Sequence, residues 1–389
     1  MIQPIVELDL AGALPTGRLV VEASAGTGKT YAVAAFVMRL AAEDGIPIGR
    51  MLVTTFTRVA AQELRDRIRL RLLGALDFLQ GAPARQAHDS VEAALGACDA
   101  TERALRSQRL DAAVSDFDTA TISTIHGFCQ RVLRMAGSTA QLAAMGGSGS
   151  ELVGEVVNDM LVADSVSNAP IIKSARLELL VKAKLGNPTA QLWPAGAALD
   201  LVQRCVDEVS RRMTSTLSYD ALLQTAVRLV ANPEAAALRA AVRERFAVAV
   251  VDEAQDTDPL QWQLFDELFP VQGNGRLIVV GDPKQSIYAF RGADVNSYLQ
   301  ARASAERKTL STNYRSDQAL LDVLNCLMAG ARFGPQIEYQ PVHAEPRNRH
   351  KHAGSGEPVA ELLVLPASYE NALLRSSVVQ KVRAVLDSE

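Results

Sequence analysis

The segment Ala23-Ser24-Ala25-Gly26-Thr27-Gly28-Lys29-Thr30 constrains this chain more than any other stretch. It follows the apolar run Leu19-Val20-Val21, which suits a buried strand, and it opens a helical pattern from Lys29 to about Ala42. A Gly-rich turn between a buried strand and a helix is the setting of a phosphate-binding loop. Gly26 and Gly28 let the backbone curl so that successive N–H groups point inward at an anion, and the helix N-terminus adds a favourable dipole. Lys29 is placed to reach the β- and γ-phosphates of a nucleoside triphosphate, and the Thr30 hydroxyl to hold Mg²⁺. Ala23 stands where such loops usually carry their first glycine. A chance Gly-rich turn is the competing reading, and the rest of the chain decides between the two.

A second apolar run, Met51–Phe56, is followed by Leu64, Ile68, Leu72, Leu76 and Leu79 at helical spacing, with Arg65, Arg67, Arg69 and Arg71 on the polar side. Strand–helix–strand–helix order predicts an α/β parallel sheet. Residues 81–110 read as helical, and Thr119–Ser123 as a strand leading into His126-Gly127-Phe128. The stretch 137–150, ending in Gly146-Gly147-Ser148-Gly149-Ser150, reads as a linker. Residues 151–230 read as mostly helical. Buried-strand patterns return at Phe246–Val251 and Leu277–Val280, so a helical insertion interrupts one α/β domain. A helix from Ser316 to Met328, a basic loop at Pro346–Pro358 and an apolar strand at Glu361–Leu365 follow.

At 389 residues the chain exceeds one ordinary domain, and its net charge of −4 gives no general affinity for polyanions. Any nucleic-acid surface must therefore be local. Cys98, Cys129, Cys205 and Cys326 form neither a metal-ligand spacing nor a disulfide framework, which fits a reducing compartment. Met1–Gly12 lacks the basic lead-in of a signal peptide, and no apolar run approaches the roughly 20 residues that span a bilayer. The expectation is a soluble cytoplasmic protein that does not engage a membrane.

Two further segments carry chemistry. Asp252-Glu253-Ala254-Gln255-Asp256 follows the run Val248–Val251. At the edge of a parallel sheet, Asp252 can hold Mg²⁺ and Glu253 can polarise a water for attack on the γ-phosphate. Alone, the segment reads equally as a solvated acidic loop. The run Gly281–Ala293 also follows a strand. Gln285 is a neutral group that could sense the γ-phosphate or the attacking water. Tyr288 and Phe290 offer faces for stacking single-stranded bases, or they are core aromatics; spacing does not separate these.

Together these segments resemble superfamily 1 helicases of the UvrD/Rep type, and within them RecB-like subunits of RecBCD helicase–nucleases. The resemblance is carried by Glu22–Thr30, Thr54–Glu63 (TTFTRVAAQE), Thr121–Leu133 (TISTIHGFCQRVL), Tyr219–Leu223 (YDALL), Val250–Pro259 (VVDEAQDTDP), Gly281–Asp294 (GDPKQSIYAFRGAD) and Asn313–Ser316 (NYRS), in family order. It implies a P-loop NTPase with a RecA-like parallel sheet, a helical insertion and an incomplete second RecA-like domain. The implied division is 1–136 and 223–310 for the first domain, 137–222 for the insertion and 311–389 for the start of the second.

The resemblance further implies an ATP-hydrolysing 3′→5′ DNA helicase motor in repair and recombination. Its cofactors are ATP and Mg²⁺, and its substrate is single-stranded or duplex-end DNA, with RecC- and RecD-like subunits as partners. Phe56 then matches a residue that packs against DNA bases, Thr57, Arg58 and His126 positions near the DNA backbone or its coupling to ATP, Tyr314 an adenine-stacking residue and Arg315 a γ-phosphate-contacting arginine. No glutamine motif for adenine is found near the N-terminus, where Gln3 stands in the wrong setting. Nothing after Ser316 matches the arginine finger of a second domain. The expectation is therefore an N-terminal portion, with a binding module of little independent turnover as the alternative. A small-molecule kinase leaves GDPKQ and NYRS unexplained.

Overall fold

The computed structural model describes residues 5–83, 90–145, 147–165, 172–186, 196–215, 219–271, 275–287, 294–334 and 336–348. In chain order these form β1 (Val6–Glu7), β2 (Arg18–Ala23), α1 (Lys29–Ala42), β3 (Met51–Thr55), α2 (Arg58–Leu79), α3 (Ser90–Gly96), α4 (Ala100–Ser115), β4 (Thr121–Thr124) and α5 (Ile125–Met145). The helices α6 (Gly147–Ser165), α7 (Ser174–Gly186), α8 (Ala197–Ser215), α9 (Tyr219–Ala231) and α10 (Ala236–Arg245) follow. Then come β5 (Val248–Val251), α11 (Pro259–Leu268), β6 (Arg276–Gly281), α12 (Val295–Ala303), β7 (Glu306–Leu310), β8 (Thr312–Asn313), α13 (Gln318–Leu327), β9 (Arg332–Gly334), β10 (Ile337–Glu338) and β11 (His343–Ala344).

Seven strands make one sheet in the order β1-β7-β2-β6-β5-β3-β4, and every pairing is parallel. Parallel strands need crossovers, and the helices that supply them cover both faces. The strand side chains sort accordingly. Leu19, Val21, Met51, Val53, Val248, Val250, Ile278 and Val280 face the layer of α1 and α2. Val20, Leu52, Ala249, Val251, Leu277 and Val279 face Phe128 of α5, Val227 of α9 and Phe265 of α11. This two-sided burial is why the central strands read as unbroken apolar runs rather than alternating ones.

Helices α6, α7 and α8 bury a separate core around Val153, Val156, Leu177, Leu201, Cys205 and Val209. The expected linker at 137–150 is helical over much of its length: α5 runs to Met145 and α6 begins at Gly147. The chain bends instead at Gly137, whose φ of 79° interrupts α5. Glycine tolerates that left-handed conformation and so marks the break. Within the segment expected to be helical, 81–110, the described residues form α3 and most of α4, with the Asp99 side chain capping α4 at the N–H of Glu102. The strand expected at Glu361–Leu365, and most of the basic loop, lie outside the described residues.

Beyond the large sheet, β11 pairs in parallel with β8, β9 pairs with β10, and Leu321, Val342 and Ala344 form a small core.

Candidate functional site

Because the seven strands are parallel, their C-terminal ends share one edge of the sheet, where α/β proteins bind ligands. β2 delivers the loop at Ala23–Thr30, β5 delivers Asp252 and Glu253, and β6 delivers Asp282–Gln285. β3 delivers Phe56–Arg58 and β4 delivers His126. In spatial order β7, β2, β6 and β5 bring the nucleotide candidates together, and β3 and β4 carry the DNA candidates beside them.

The loop after β2 turns at Gly26 (φ 79°) and Gly28 (φ 88°), and Gly28 caps α1. The N–H and the hydroxyl of Thr27 both donate to Ser24 O, at 3.3 and 2.8 Å, which closes the turn. Ser24 and Ala25 form the outer side of this turn, and Ala23 is the buried last residue of β2. Lys29 and Thr30 start α1, where the first N–H groups have no partner within the helix. Lys29 Nζ lies 3.3 Å from Gln285 Oε1 and 3.8 Å from Glu253 Oε2. Three residues from three strand ends thus meet around one ammonium group.

The acidic segment after β5 is strained. Glu253 adopts φ 52°, ψ 43°, and it alone among the described non-glycine residues has positive φ. Such strain costs on the order of 1–3 kcal/mol and persists where surroundings over-determine it. Here the surroundings include Gln255, which is only 2% exposed. Its Nε2 donates to Glu253 Oε2 at 2.8 Å, and its Oε1 accepts from Asp282 N–H at 2.9 Å. A Cβ at Gly281 would stand 2.8 Å from that Oε1, so only glycine leaves the amide its place. Asp282 in turn accepts from Gln285 Nε2 at 2.7 Å. Gln255 therefore links the group beside Lys29 to the turn that carries Gln285. It sits inside DEAQD, where the sequence pattern marks no role for it, because a linking residue has no chemistry of its own to betray it.

Burial, then the charge of Glu253, pushes the Asp252 carboxyl up to about 7. The same two causes push Asp256 to about 6, and Asp256 Oδ1 is buried with no hydrogen-bond partner among the described residues. Two carboxylates crowded in a dry site are what a nearby cation relieves. Among the described residues, no group of three or more His, Cys, Asp and Glu is arranged to hold a metal. A cation here would draw its remaining oxygens from a hydroxyl, phosphate and water, as Mg²⁺ does.

The NYRS turn closes over the loop. Tyr314 N–H donates to Gly26 O at 2.8 Å, and a Cβ at Gly26 would lie 2.9 Å from Arg315 Cβ. Tyr314 is 58% exposed, with its ring 3.7 Å from the corresponding position of Gly28. Arg315 is exposed beside it. Asn313, to which the motif itself assigns no role, is the buried member of the turn.

On the other side, Phe56 is half-buried, and Thr57 and Arg58 are exposed. Thr57 Oγ1 caps α2 by accepting from Ala60 N–H at 3.0 Å, so that hydroxyl already has structural work. His126 is half-buried in the first turn of α5. Strands β3 and β4 are neighbours, with Thr55 opposite Thr124, so Phe56 and His126 rise from adjacent strand ends. Tyr288 and Phe290 lie outside the described residues.

Residues 7–306 match the UvrD/REP helicase N-terminal domain. The chain belongs to the UvrD/Rep helicase family. Within this family it is 39% identical over 355 residues to the RecBCD enzyme subunit RecB of Mycolicibacterium smegmatis, covering 86% of this chain and 32% of that protein. To the RecB subunit of Escherichia coli it is 25% identical, covering 86% and 40%. The ATP-dependent DNA helicase UvrD1 of Mycobacterium bovis is 30% identical, covering 80% and 37%. The chain is thus RecB-like, and it spans about a third of the length of the first of these relatives. No helix among the described residues is long and apolar enough to cross a membrane.

Proposed function

We propose that this chain carries the nucleotide-binding half of a DNA helicase motor of the RecB type, which binds ATP with Mg²⁺ and tracks single-stranded DNA. The observation that carries the proposal is the meeting of Lys29, Glu253 and Gln285 beside a strand–loop–helix phosphate turn. On this reading, residues 23–30 wrap the phosphates and Tyr314 stacks on the adenine. Thr30 and Asp252 would hold Mg²⁺, which supplies charge neutralisation at the β- and γ-phosphates. Lys29 exchanges its contact with Gln285 for phosphate oxygen. Glu253, kept in place by Gln255, orients the attacking water and takes its proton, and Gln285 is released to contact the γ-phosphate. Arg315 faces the charge that develops there.

Phe56, Thr57, Arg58 and His126 form the DNA side, with Tyr288 and Phe290 as stacking partners. The sheet separates the two sides by three strand steps, β2 to β6 to β5 to β3, or about 14 Å. Gln285 and Gln255 span the first two of those steps, from Lys29 after β2 to Glu253 after β5. Residues 1–136 and 223–310 would form the first motor domain, 137–222 an insertion over the DNA, and 311–389 the start of the second domain. RecC- and RecD-like subunits are the natural partners, since several relatives are named as subunits of a RecBCD enzyme.

The test is equilibrium binding of a fluorescent ATP analogue with Mg²⁺, followed by ATP turnover with and without single-stranded DNA. Binding plus DNA-stimulated turnover is the expected result for a motor. Binding with no turnover assigns a nucleotide-binding module instead, and absence of binding removes the proposal.

A further inference from the structure

Glu22 immediately precedes Ala23 at the end of β2. Strand alternation sends Leu19, Val21 and Ala23 to one helical layer and Val20 to the other, and Glu22 shares the side of Val20. It is 8% exposed. Packing alone asks for an apolar residue here, because a buried charge destabilises unless it is held by partners. Glu22 has two. Arg302 of α12 donates from Nη1 to its Oε1 at 2.8 Å, and Arg307 of β7 from Nη2 at 3.2 Å.

Arg302 also reaches the other way. Its Nη2 donates to the backbone carbonyl of Gln336, at the β9–β10 pair, at 2.9 Å. The residues just after that pair are fastened to α13: Tyr339 Oη donates to Asn325 Oδ1 at 2.8 Å, and Asn325 Nδ2 donates to Val342 O at 2.9 Å. One planar guanidinium thus spans the root of the phosphate loop and the unit beyond the NYRS turn. A cavity of about 230 Å³ lies at this joint, lined by Glu22, Lys284, Arg302, Arg307, Gln336 and Glu338. The contact across it is polar and local, so it can form and break without opening an apolar core.

We propose that Glu22 is a positioning residue which, through Arg302, ties the phosphate loop to the β9–β10 pair, so that nucleotide binding and docking of that pair strengthen each other. The coupling rests on the nucleotide-binding reading above and on linkage: whatever a docked pair adds to nucleotide affinity, bound nucleotide returns to docking. Arg302 carries it because a guanidinium fork serves two acceptors at once, whereas an ammonium is a point charge.

The experiment is backbone hydrogen exchange across residues 331–342 of the whole chain, with and without a non-hydrolysable ATP analogue and Mg²⁺. Affinity is titrated in the same samples. In the wild type the analogue slows exchange there by roughly threefold or more. Arg302→Lys binds the analogue about three- to tenfold more weakly and loses the slowing. Glu22→Gln, which keeps the shape but not the charge, shows the same loss, and Arg302→Lys carries the test if that variant fails to fold. Arg307→Lys, altered at the partner that bonds Glu22 alone of the two acceptors, keeps the slowing, which a merely structural role of the cluster does not predict. A wild type that binds the analogue without slowing, or an Arg302→Lys chain that keeps it in full, overturns the inference. A wild type that fails to bind overturns the nucleotide reading, and the inference with it.

Discussion

The side chain of Asn313 donates from Nδ2 to the carbonyl oxygen of Ala25 at 2.9 Å, across 288 residues of sequence. Its Oδ1 accepts from the N–H groups of Arg315 and Ser316 at 2.8 and 2.9 Å, and the residue is 4% exposed. One amide therefore shapes the turn that presents Tyr314 and Arg315 and fastens it to the phosphate loop. Asn313→Ala leaves three backbone groups without their partner, at a cost of about 1–3 kcal/mol. The expected result is a lower melting temperature and about tenfold weaker nucleotide binding. A melt with and without nucleotide reads both, and an unchanged nucleotide-induced shift counts against the fastening role.

Lys29→Ala deletes the ammonium at the centre of the site. Charge-assisted hydrogen bonds contribute about 1.5–3 kcal/mol, so nucleotide affinity falls roughly 10- to 100-fold. The fold should persist, because Lys29 is outside both sheet cores. Calorimetric titration with an ATP analogue and Mg²⁺ checks this, and wild-type affinity would remove the phosphate loop from the account.

Glu253→Gln separates binding from hydrolysis. Its side-chain oxygen can still accept from Gln255, so the link to Asp282 and Gln285 survives. A general base contributes about 10²–10⁴ in rate, and turnover in the complete motor falls by that factor while nucleotide affinity stays near wild type. Single-turnover hydrolysis decides it; undiminished turnover assigns the base elsewhere.

Asp256 makes stability depend on pH in a defined direction. Its carboxyl titrates near 6 in the folded chain, raised by burial and then by Glu253, against about 3.9 when unfolded. Between those values the folded state holds a proton that the unfolded state has released. The stabilisation is complete below about pH 4 and is lost as pH rises through 6. Asp256→Asn removes this dependence, so the variant gains on the wild type from pH 4 to pH 6. The gain is on the order of 1 kcal/mol, since half-exposed Glu253 leaves part of the site screened by water. Denaturant melts over that range test the sign, and parallel pH curves for the two chains contradict it.

Much of the sheet was legible because strands buried on both faces announce themselves as apolar runs, as at Leu19–Val21, Val248–Val251 and Leu277–Val280. Strand β7 escaped notice. Glu306, Arg307 and Lys308 look like a solvated loop, yet they pair with β2 and β1 near the sheet margin, where Arg307 and Lys308 find carboxylates. The two-residue β1 was equally silent, since its neighbour lies some 300 positions away. In the site, residues with a reaction to perform were visible from the motifs. Those that hold others in place were not, because Asn313, Gln255 and Glu22 act through partners that only the fold brings near. The glycines at 146–150 suggested a flexible join, but the helical α6 begins within them, and the bend falls at Gly137.

The interleaved strand order has a consequence for how the chain is made. Glu22 and Thr309 are sheet neighbours separated by 287 positions, so the phosphate-loop strand waits for both flanks until residues near 310 leave the ribosome. At translation rates of about 5–20 residues per second, that delay is roughly 15–60 s. Helices α6, α7 and α8, whose core is drawn from residues 152–209, can settle during the wait. The nascent protein can thus acquire its inserted bundle before its nucleotide pocket, and for that interval the apolar strand β2, whose partners β6 and β7 come last, is exposed to whatever binds unpaired edges.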